Sequence, residues 1–375
     1  MPIDMEEDNN FIEGARIKVI GIGGGGNNAV DRMIEAGVTK AEFICINTDA
    51  HQLSNVKAPT VLQIGGKLTG GLGAGAKPEI GRQAAEETKE EIKNLLKDTE
   101  MVFITAGMGG GTGTGAAPVI AEISKSLGIL TVAVVTKPFF FEGPQRMKNA
   151  EEGLKQLSDK VDAIVTIPND RLFKIADKKA TIEDSFKLAD DVLRQGVQGI
   201  IEVITQLGIM NCDFADVRTI MKDSGIAHMG IGIGKGENAA QDAVRNAIES
   251  PLLDTNITGA ANVLLNVTGG TEFSLVDMGE VSKIVQEQVS ENANIILGTA
   301  VDESMKDEIK VTLIVTGLDV SAKKPGDTSA HTQRRDISEF SRTNRSSGDD
   351  DAIFTRKLKP GMESINVPSF FRPKN

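Results

Sequence analysis

Cysteine and histidine are scarce in this chain, with two and three copies in 375 residues. Cys45 and Cys212 each sit in an apolar or motif-like context, and two thiols make no disulfide framework. His51, His228 and His331 are scattered, so no Cys/His or His/Lys constellation of a redox or hydrolytic site emerges. Long hydrophobic runs are missing too: nothing approaches the ~18 apolar residues that cross a bilayer. The opening segment MPIDMEEDNNFIEG is acidic and polar, unlike a secretory leader. Positive charge is also in deficit: a net charge of −12 argues against a general nucleic-acid binder. Together these absences lead to the expectation of a cytoplasmic protein that neither inserts into membranes nor binds nucleic acid.

What is present looks globular. Hydrophobic residues make up 40% and charged residues 25%, as in soluble domains. The length exceeds one compact core, so two domains and a tail are expected. Residues 321–375 carry eleven Lys and Arg against seven Asp and Glu, which leaves −16 on residues 1–320. A weakly basic tail thus hangs from an acidic body.

Residues 16–136 alternate between short apolar runs and helical patterns. RIKVIGIG, AEFICINTD, EMVFITAGMG, LGILTVAVVTKP and DAIVTIPND read as strands. NNAVDRMIEAG, one long helix over KPEIGRQAAEETKEEIKNLLKD, and a helix from about Ala117 to Leu127 lie among them. Near-continuous apolar strands separated by helices imply a parallel sheet covered on both faces. Ligands of such sheets bind at the carboxyl ends of the strands. A longer pattern follows at 180–208, with apolar residues every three or four positions and Thr181 and Asp184 as a capping box. Val192, Ile201 and Val203 make its other faces apolar as well, which suggests a central helix buried between two domains. A smaller α/β domain is expected over 209–320, with strands at HMGIGIG, NVLLNVTGG and EIKVTLIVTGL. The composition of 321–363 is that of a disordered linker. Residues 1–14 read as a flexible start, which leaves 15–179 for the first domain. The final 364–375 carry Val367, Phe370 and Phe371, an apolar cluster suited to folding onto a partner.

Glycine is where the sequence becomes specific. AGMGGGTGTGAAP, residues 106–118, holds six glycines directly after an apolar run. Glycine is costly in regular structure, so this much bare backbone implies close approach to a ligand. GIGGGGNNAV contains G-x-G-x-x-G through Gly21, Gly23 and Gly26, a dinucleotide fingerprint, with Asp49 as a possible ribose acid. The physical demand is broader, because glycines at a helix start let backbone N–H groups face any phosphate. A dinucleotide needs one such loop. Here there are two, with a possible third in GGLGAGA, which suits a longer phosphate chain. The Walker A pattern is excluded, since Asn27 follows Gly26 where lysine should stand.

GGGTGTG at 109–115 resembles the signature loop of the tubulin/FtsZ superfamily, and NCDFADVR at 211–218 resembles its catalytic loop. With VIGIGGGGNNAV and the linker-plus-peptide tail, the likeness covers residues 16–320 almost continuously. It is strongest to the bacterial cell-division branch. The resemblance implies a tubulin-like GTP-binding domain with GTP and GDP as ligands, and filaments that form the division ring. It implies Mg²⁺ held mainly by the nucleotide phosphates, without a protein metal site. Gly24, Gly25, Gly26, Asn27 and Asn28 match its first phosphate loop; Gly110, Gly111, Thr112 and Gly113 match the signature loop. Glu142 and Arg146 match ribose and phosphate contacts, and Asn169, Phe186 and Asp190 match those that read and stack on guanine. Taken alone, Phe186 reads as a core aromatic, and Glu142 with Arg146 as an exposed i, i+4 pair of little worth.

Asn211, Asp213 and Asp216 match the family's catalytic residues, although DFAD alone reads as a solvated acidic turn. If Phe186 touches the base, Asn211 lies 25 residues on, roughly 35–40 Å along a helix. Those acids then act on a neighbouring subunit or are structural. Head-to-tail stacking supplies that neighbour and generates an open filament. The tail departs from the family's D-I-P-x-F-L peptide, with Asn366 and Val367 where Asp and Ile are usual. Its expected partners are membrane-tethering and regulatory division proteins. Two other readings stay open on sequence: a Rossmann-type oxidoreductase, and a nucleotide-dependent binding module without hydrolysis.

Overall fold

A computed structural model of the chain describes residues 15–174, 179–205, 213–253, 257–270, 272–302 and 305–318. Its strands are β1 (Ile17–Ile22), β2 (Glu42–Asn47), β3 (Thr60–Gln63), β4 (Met101–Gly107), β5 (Leu130–Lys137), β6 (Ala163–Pro168), β7 (Gly225–Lys235), β8 (Asn262–Gly269), β9 (Asn294–Val301) and β10 (Glu308–Thr316). The helices are α1 (Gly23–Glu35), α2 (Ala50–Leu53), α3 (Gly66–Thr69), α4 (Pro78–Glu87), α5 (Lys89–Leu95), α6 (Thr112–Ser126), α7 (Pro144–Ser158), α8 (Ile182–Thr205), α9 (Phe214–Met221), α10 (Ala239–Ile248) and α11 (Leu275–Gln286).

All ten strands form one sheet in the order β3-β2-β1-β4-β5-β6-β7-β10-β8-β9. From β3 to β7 every pairing is parallel. β10 runs antiparallel to both β7 and β8, and β9 returns parallel to β8. The second α/β half therefore continues the first sheet across the β6–β7 pairing, Ala163 opposite Gly225. The strand order reverses between β1 and β4, which defines a switch point where a crevice opens at the carboxyl ends.

Alternation along the strands sorts apolar residues to two faces. Val19, Phe103, Val132 and Val165 join α1 and α8 in one core. Ile20, Ile44, Ile104 and Val135 join α4 and α6 in the other. A third cluster holds β8 and β10 against α10 and α11. Cys45 lies in the first core, where burial pushes its thiol up to about 12. It is an inert apolar residue; Cys212 lies outside the described residues.

The long helix α8 packs on α1, β5, β8 and β9. Val192, Ile201 and Val203 are all buried, as their apolar faces require. Its start is capped as the sequence suggests: Thr181 N donates to Asp184 Oδ2 at 2.9 Å, and Asp184 N donates to Thr181 Oγ1 at 3.1 Å.

Three boundaries differ from the sequence reading. The helix expected through 77–98 is two helices, broken at Thr88 (φ −104°, ψ 19°). There the Thr88 hydroxyl donates to Ala84 O and accepts from Gly65 N, a local alternative to continuing the helix. Helix α1 begins at Gly23 rather than at Asn27, and α6 at Thr112 rather than near Ala117. Much of the two glycine-rich segments is thus the first turns of helices. Strands β3 and β9 are additions that the sequence reading lacks. Among the described residues no helix is long and apolar enough to cross a membrane. Segments 1–14, 321–363 and 364–375 lie outside the described residues.

Candidate functional site

Strands β1 and β4 are neighbours, with Ile22 opposite Ala106, so the turns that follow them emerge side by side. Each leads directly into a helix. Neither α1 nor α6 has a side-chain cap on its first turn. The first N–H groups of a helix have no partner within it, and they carry the positive end of its dipole. Two such ends converge on one cavity of about 490 Å³, within the usual range for a ligand pocket.

Glycine makes this convergence possible at two positions above all. Gly23 adopts φ +70°, and a Cβ there would lie 2.9 Å from Gly113 N. A Cβ on Gly26 would lie 2.3 Å from the Thr105 carbonyl oxygen. Side chains at either would push the loops apart or lift α1 off β4.

The cavity is lined by Gly24, Gly25 and Asn28 from the first turn and by Gly110, Gly111, Thr112 and Gly113 from the second. Gly26 and Asn27 do not line it. Asn27 is buried, and hydrogen-bond complementarity assigns its amide nitrogen, rather than its oxygen, to the carbonyl oxygens of Gly21 (2.8 Å) and Gly23 (3.2 Å). The third glycine segment contributes Gly73, Ala74 and Gly75. It is tied to the end of β2 by the Asp49–Leu72 bridge and by Ala50 N donating to Gly71 O at 3.1 Å. Asp49 caps α2, accepting from Gln52 N at 3.0 Å, and also lines the cavity.

At the other end, Phe186, Ala189, Asp190 and Leu193 from α8 close the wall opposite Asn169, just after β6. Asn169 is 4% exposed, and its Oδ1 has no hydrogen-bond partner among the described residues. An unmet acceptor of this kind costs free energy unless a ligand donates to it. Asp190 is half-buried, and burial pushes its carboxyl up to about 7, with Arg32 pulling weakly the other way. Phe186 is 40% exposed and meets Phe139 edge-on at 5.4 Å. It lines the cavity and joins an aromatic cluster with Phe139 and Phe141 rather than lying in the core. Glu142 accepts from Phe139 N at 2.9 Å and pairs with Arg146. Both line the cavity, where Arg146 is the single Lys or Arg among the described lining residues.

Asp213 and Asp216 are not among the lining residues. Asp213 is the N-cap of α9, its Oδ1 accepting from Asp216 N at 2.8 Å. Asn211 lies outside the described residues. Sequence reasoning missed Asn47, Gln52, Thr136 and Leu193 as lining residues. Asn47 ends β2 and Thr136 nears the end of β5, so the strand-end rule itself pointed to them.

Fold and site together define an α/β protein of nucleotide-binding type, with two uncapped helix starts on one cavity and no lysine loop. Comparison with known proteins gives the class its name. Residues 16–177 match the Tubulin/FtsZ family, GTPase domain, and residues 225–319 match the FtsZ family, C-terminal domain. An FtsZ from M. jannaschii, solved as an empty dimer, is 48% identical over 81% of this chain and 88% of that chain, with TM-score 0.78. A mutant of M. jannaschii FtsZ gives the same identity and TM-score over 92% of its own chain and 81% of this one. GDP-bound CetZ1 from Haloferax volcanii shares the fold at 20% identity, covering 81% of this chain and 95% of its own, with TM-score 0.71.

The chain belongs to the FtsZ family. It is a cytoskeletal GTPase, and the oxidoreductase reading of Gly21, Gly23 and Gly26 finds no support in these similarities.

Proposed function

We propose that this chain binds GTP in the cavity between α1 and α6, assembles head to tail, and hydrolyses the nucleotide only across a subunit junction. The N–H groups of Gly24, Gly25, Gly110, Gly111 and Gly113 hold phosphate oxygens, assisted by Thr112 and Asn28. Glu142 and Arg146 meet the ribose and the phosphates. Asn169, Phe186 and Asp190 read and stack on guanine; the unmet Asn169 Oδ1 accepts from a base N–H donor.

Mg²⁺ fits the charge balance. Asp49, Glu142 and Asp190 face the cavity against Arg146 alone, so side chains supply no net positive charge for a triphosphate. When bound, Mg²⁺ would offset charge on the phosphates. The N–H groups and the dipoles of α1 and α6 do the rest by positioning.

The observation that carries the trans reading is the layout of α8. Phe186 and Asp190 line the cavity near its start, and Asp213 and Asp216 come after its end without lining the cavity. The 24 residues of α8 rise about 36 Å at 1.5 Å each. A second copy stacked on the first would bring Asn211, Asp213 and Asp216 to the phosphates, where the acids orient the attacking water. The M. jannaschii relative was solved as a dimer, and a CetZ2 from Haloferax volcanii (19% identical over 82% of this chain and 95% of its own, TM-score 0.70) as a GTPγS-bound protofilament. Head-to-tail stacking of this chain makes a heterologous interface, which builds an open filament.

In the cell this reading puts the protein in the cytoplasm, in a ring at the division site. The proposed layout is a GTP-binding domain over 15–179, a central helix over 180–208, a second domain over 209–320, a linker, and a terminal peptide at 364–375. That peptide docks membrane-tethering division proteins. Pelleting and phosphate release, measured together with GTP and GDP, test the proposal. GTP should drive both, and deletion of 364–375 should spare both while removing recruitment to membranes. Phosphate release without assembly would contradict it.

A further inference from the structure

Thr48 follows β2 behind the cavity wall and is fully buried. Its hydroxyl oxygen lies 2.7 Å from that of Thr112, the first residue of α6, which lines the cavity. Among the described residues neither hydroxyl makes another hydrogen bond. A hydroxyl has one proton to donate and two lone pairs to accept with. The direction of this bond therefore matters. If Thr112 donated, the Thr48 proton would be buried without an acceptor, at the full desolvation cost of an unmade bond. If Thr48 donates, its proton is satisfied and the Thr112 proton stays available on the cavity side.

We infer that Thr48 is a positioning residue that sets Thr112 as a hydrogen-bond donor to an anionic oxygen of the ligand. The inference rests on the cavity being the phosphate site. Thr48 touches no ligand; it acts through Thr112. Donation from Thr48 also polarises the second hydroxyl, which strengthens the bond Thr112 makes in turn. The backbone around Thr48 is held to match. Its N–H donates to Asn47 Oδ1 at 2.9 Å, and Asn47 Nδ2 donates to Gln52 Oε1 at 2.9 Å. That Gln52 oxygen lies 3.1 Å from where a Gly24 Cβ would stand, so the segment after β2 braces both glycine turns.

The test is titration of the full chain, kept dilute, with fluorescent GDP and a fluorescent non-hydrolysable GTP analogue. Thr112→Val should weaken binding about tenfold, the loss of a hydrogen bond to a charged group. Thr48→Val should weaken it about three- to fivefold, and Thr48→Ser, which keeps the hydroxyl, should restore it to within about twofold. The double variant should bind no more weakly than Thr112→Val alone, because contacts in one chain of bonds are not additive. A purely structural Thr48 would instead give additive losses, and that result overturns the assignment. So does parental affinity in Thr48→Val while Thr112→Val is weakened. Urea unfolding accompanies each titration, and Thr48→Ala replaces Thr48→Val in the same cycle if the latter does not fold. Failure of the phosphate-site reading looks different: Gly110→Asp, which puts a carboxylate into the cavity, would then also bind normally.

Discussion

Two strand–helix–strand crossovers in the same sheet treat the start of their helix in opposite ways. β4–α6–β5 and β8–α11–β9 both join parallel neighbours. In the second, Ser274 caps α11: its hydroxyl accepts from Asp277 N at 3.2 Å, while Asp277 Oδ2 accepts from Ser274 N at 2.9 Å. The orphan N–H groups are met by the chain itself, the usual solution for a helix whose role is packing. In the first, glycines replace the cap and the turn opens into the cavity. Stability was left unclaimed there, and the uncapped turn is open to the nucleotide proposed above. The same fold unit thus ends in a capped turn or an open one according to three or four residues. Asp213 belongs with the capped class, since it caps α9, and also carries the charge proposed for catalysis.

The comparison can be pressed hardest at Asp213. Asp213→Asn keeps a good N-cap and removes the charge. GTP turnover should fall by about 10²–10⁴-fold, the range for a lost proton-handling group, with nucleotide affinity unchanged in a titration. Equal losses in both would return Asp213 to a structural role. Next in size is Gly110→Asp, which turns the open crossover into a carboxylate-bearing one. Nothing lies within 4 Å of a Cβ there, so the fold should hold, and thermal unfolding without nucleotide should be level or slightly raised. Nucleotide affinity should fall about 10²-fold from like-charge contact; intact affinity would mean the phosphates sit elsewhere.

Asp190 makes a smaller, pH-dependent case. With its carboxyl near 7 in the free protein, acceptance of base N–H donors requires the ionised form. Affinity for GDP should therefore weaken as pH falls below 7, by up to about tenfold per unit, and Asp190→Asn should flatten the profile. The stability sign is opposite. A carboxyl raised from 3.8 favours the folded state below the unfolded value, and that contribution is lost as pH rises through about 7. The smallest effect belongs to the capped crossover: Ser274→Ala should cost about 1 kcal/mol in urea unfolding and leave nucleotide affinity untouched.

Much of this was legible in the chain. Near-continuous apolar runs such as MVFIT and TVAVV announce strands buried on both faces, and the glycine turns after β1 and β4 mark the edge where the cavity opens. What stayed hidden had local causes. Strand β3 is four residues of mixed exposure, too short for periodicity to register. The glycines of α1 and α6 are helical against their own propensity, because tertiary packing and close approach to β4 override it. Thr88 breaks a helical pattern through one hydroxyl whose partner, Gly65, is distant in sequence. Asn27 matches a ligand contact by motif, and its side chain is buried outside the cavity lining. A motif names a loop; it does not say which of its side chains face inward.

The most direct measurement is GTP turnover per molecule across a wide range of protein concentration. With Asp213 and Asp216 absent from the cavity lining, isolated subunits should be almost inactive while still binding nucleotide, and activity per molecule should climb steeply where filaments form. A constant activity per molecule from dilute solution upward would mean that one chain carries a complete site.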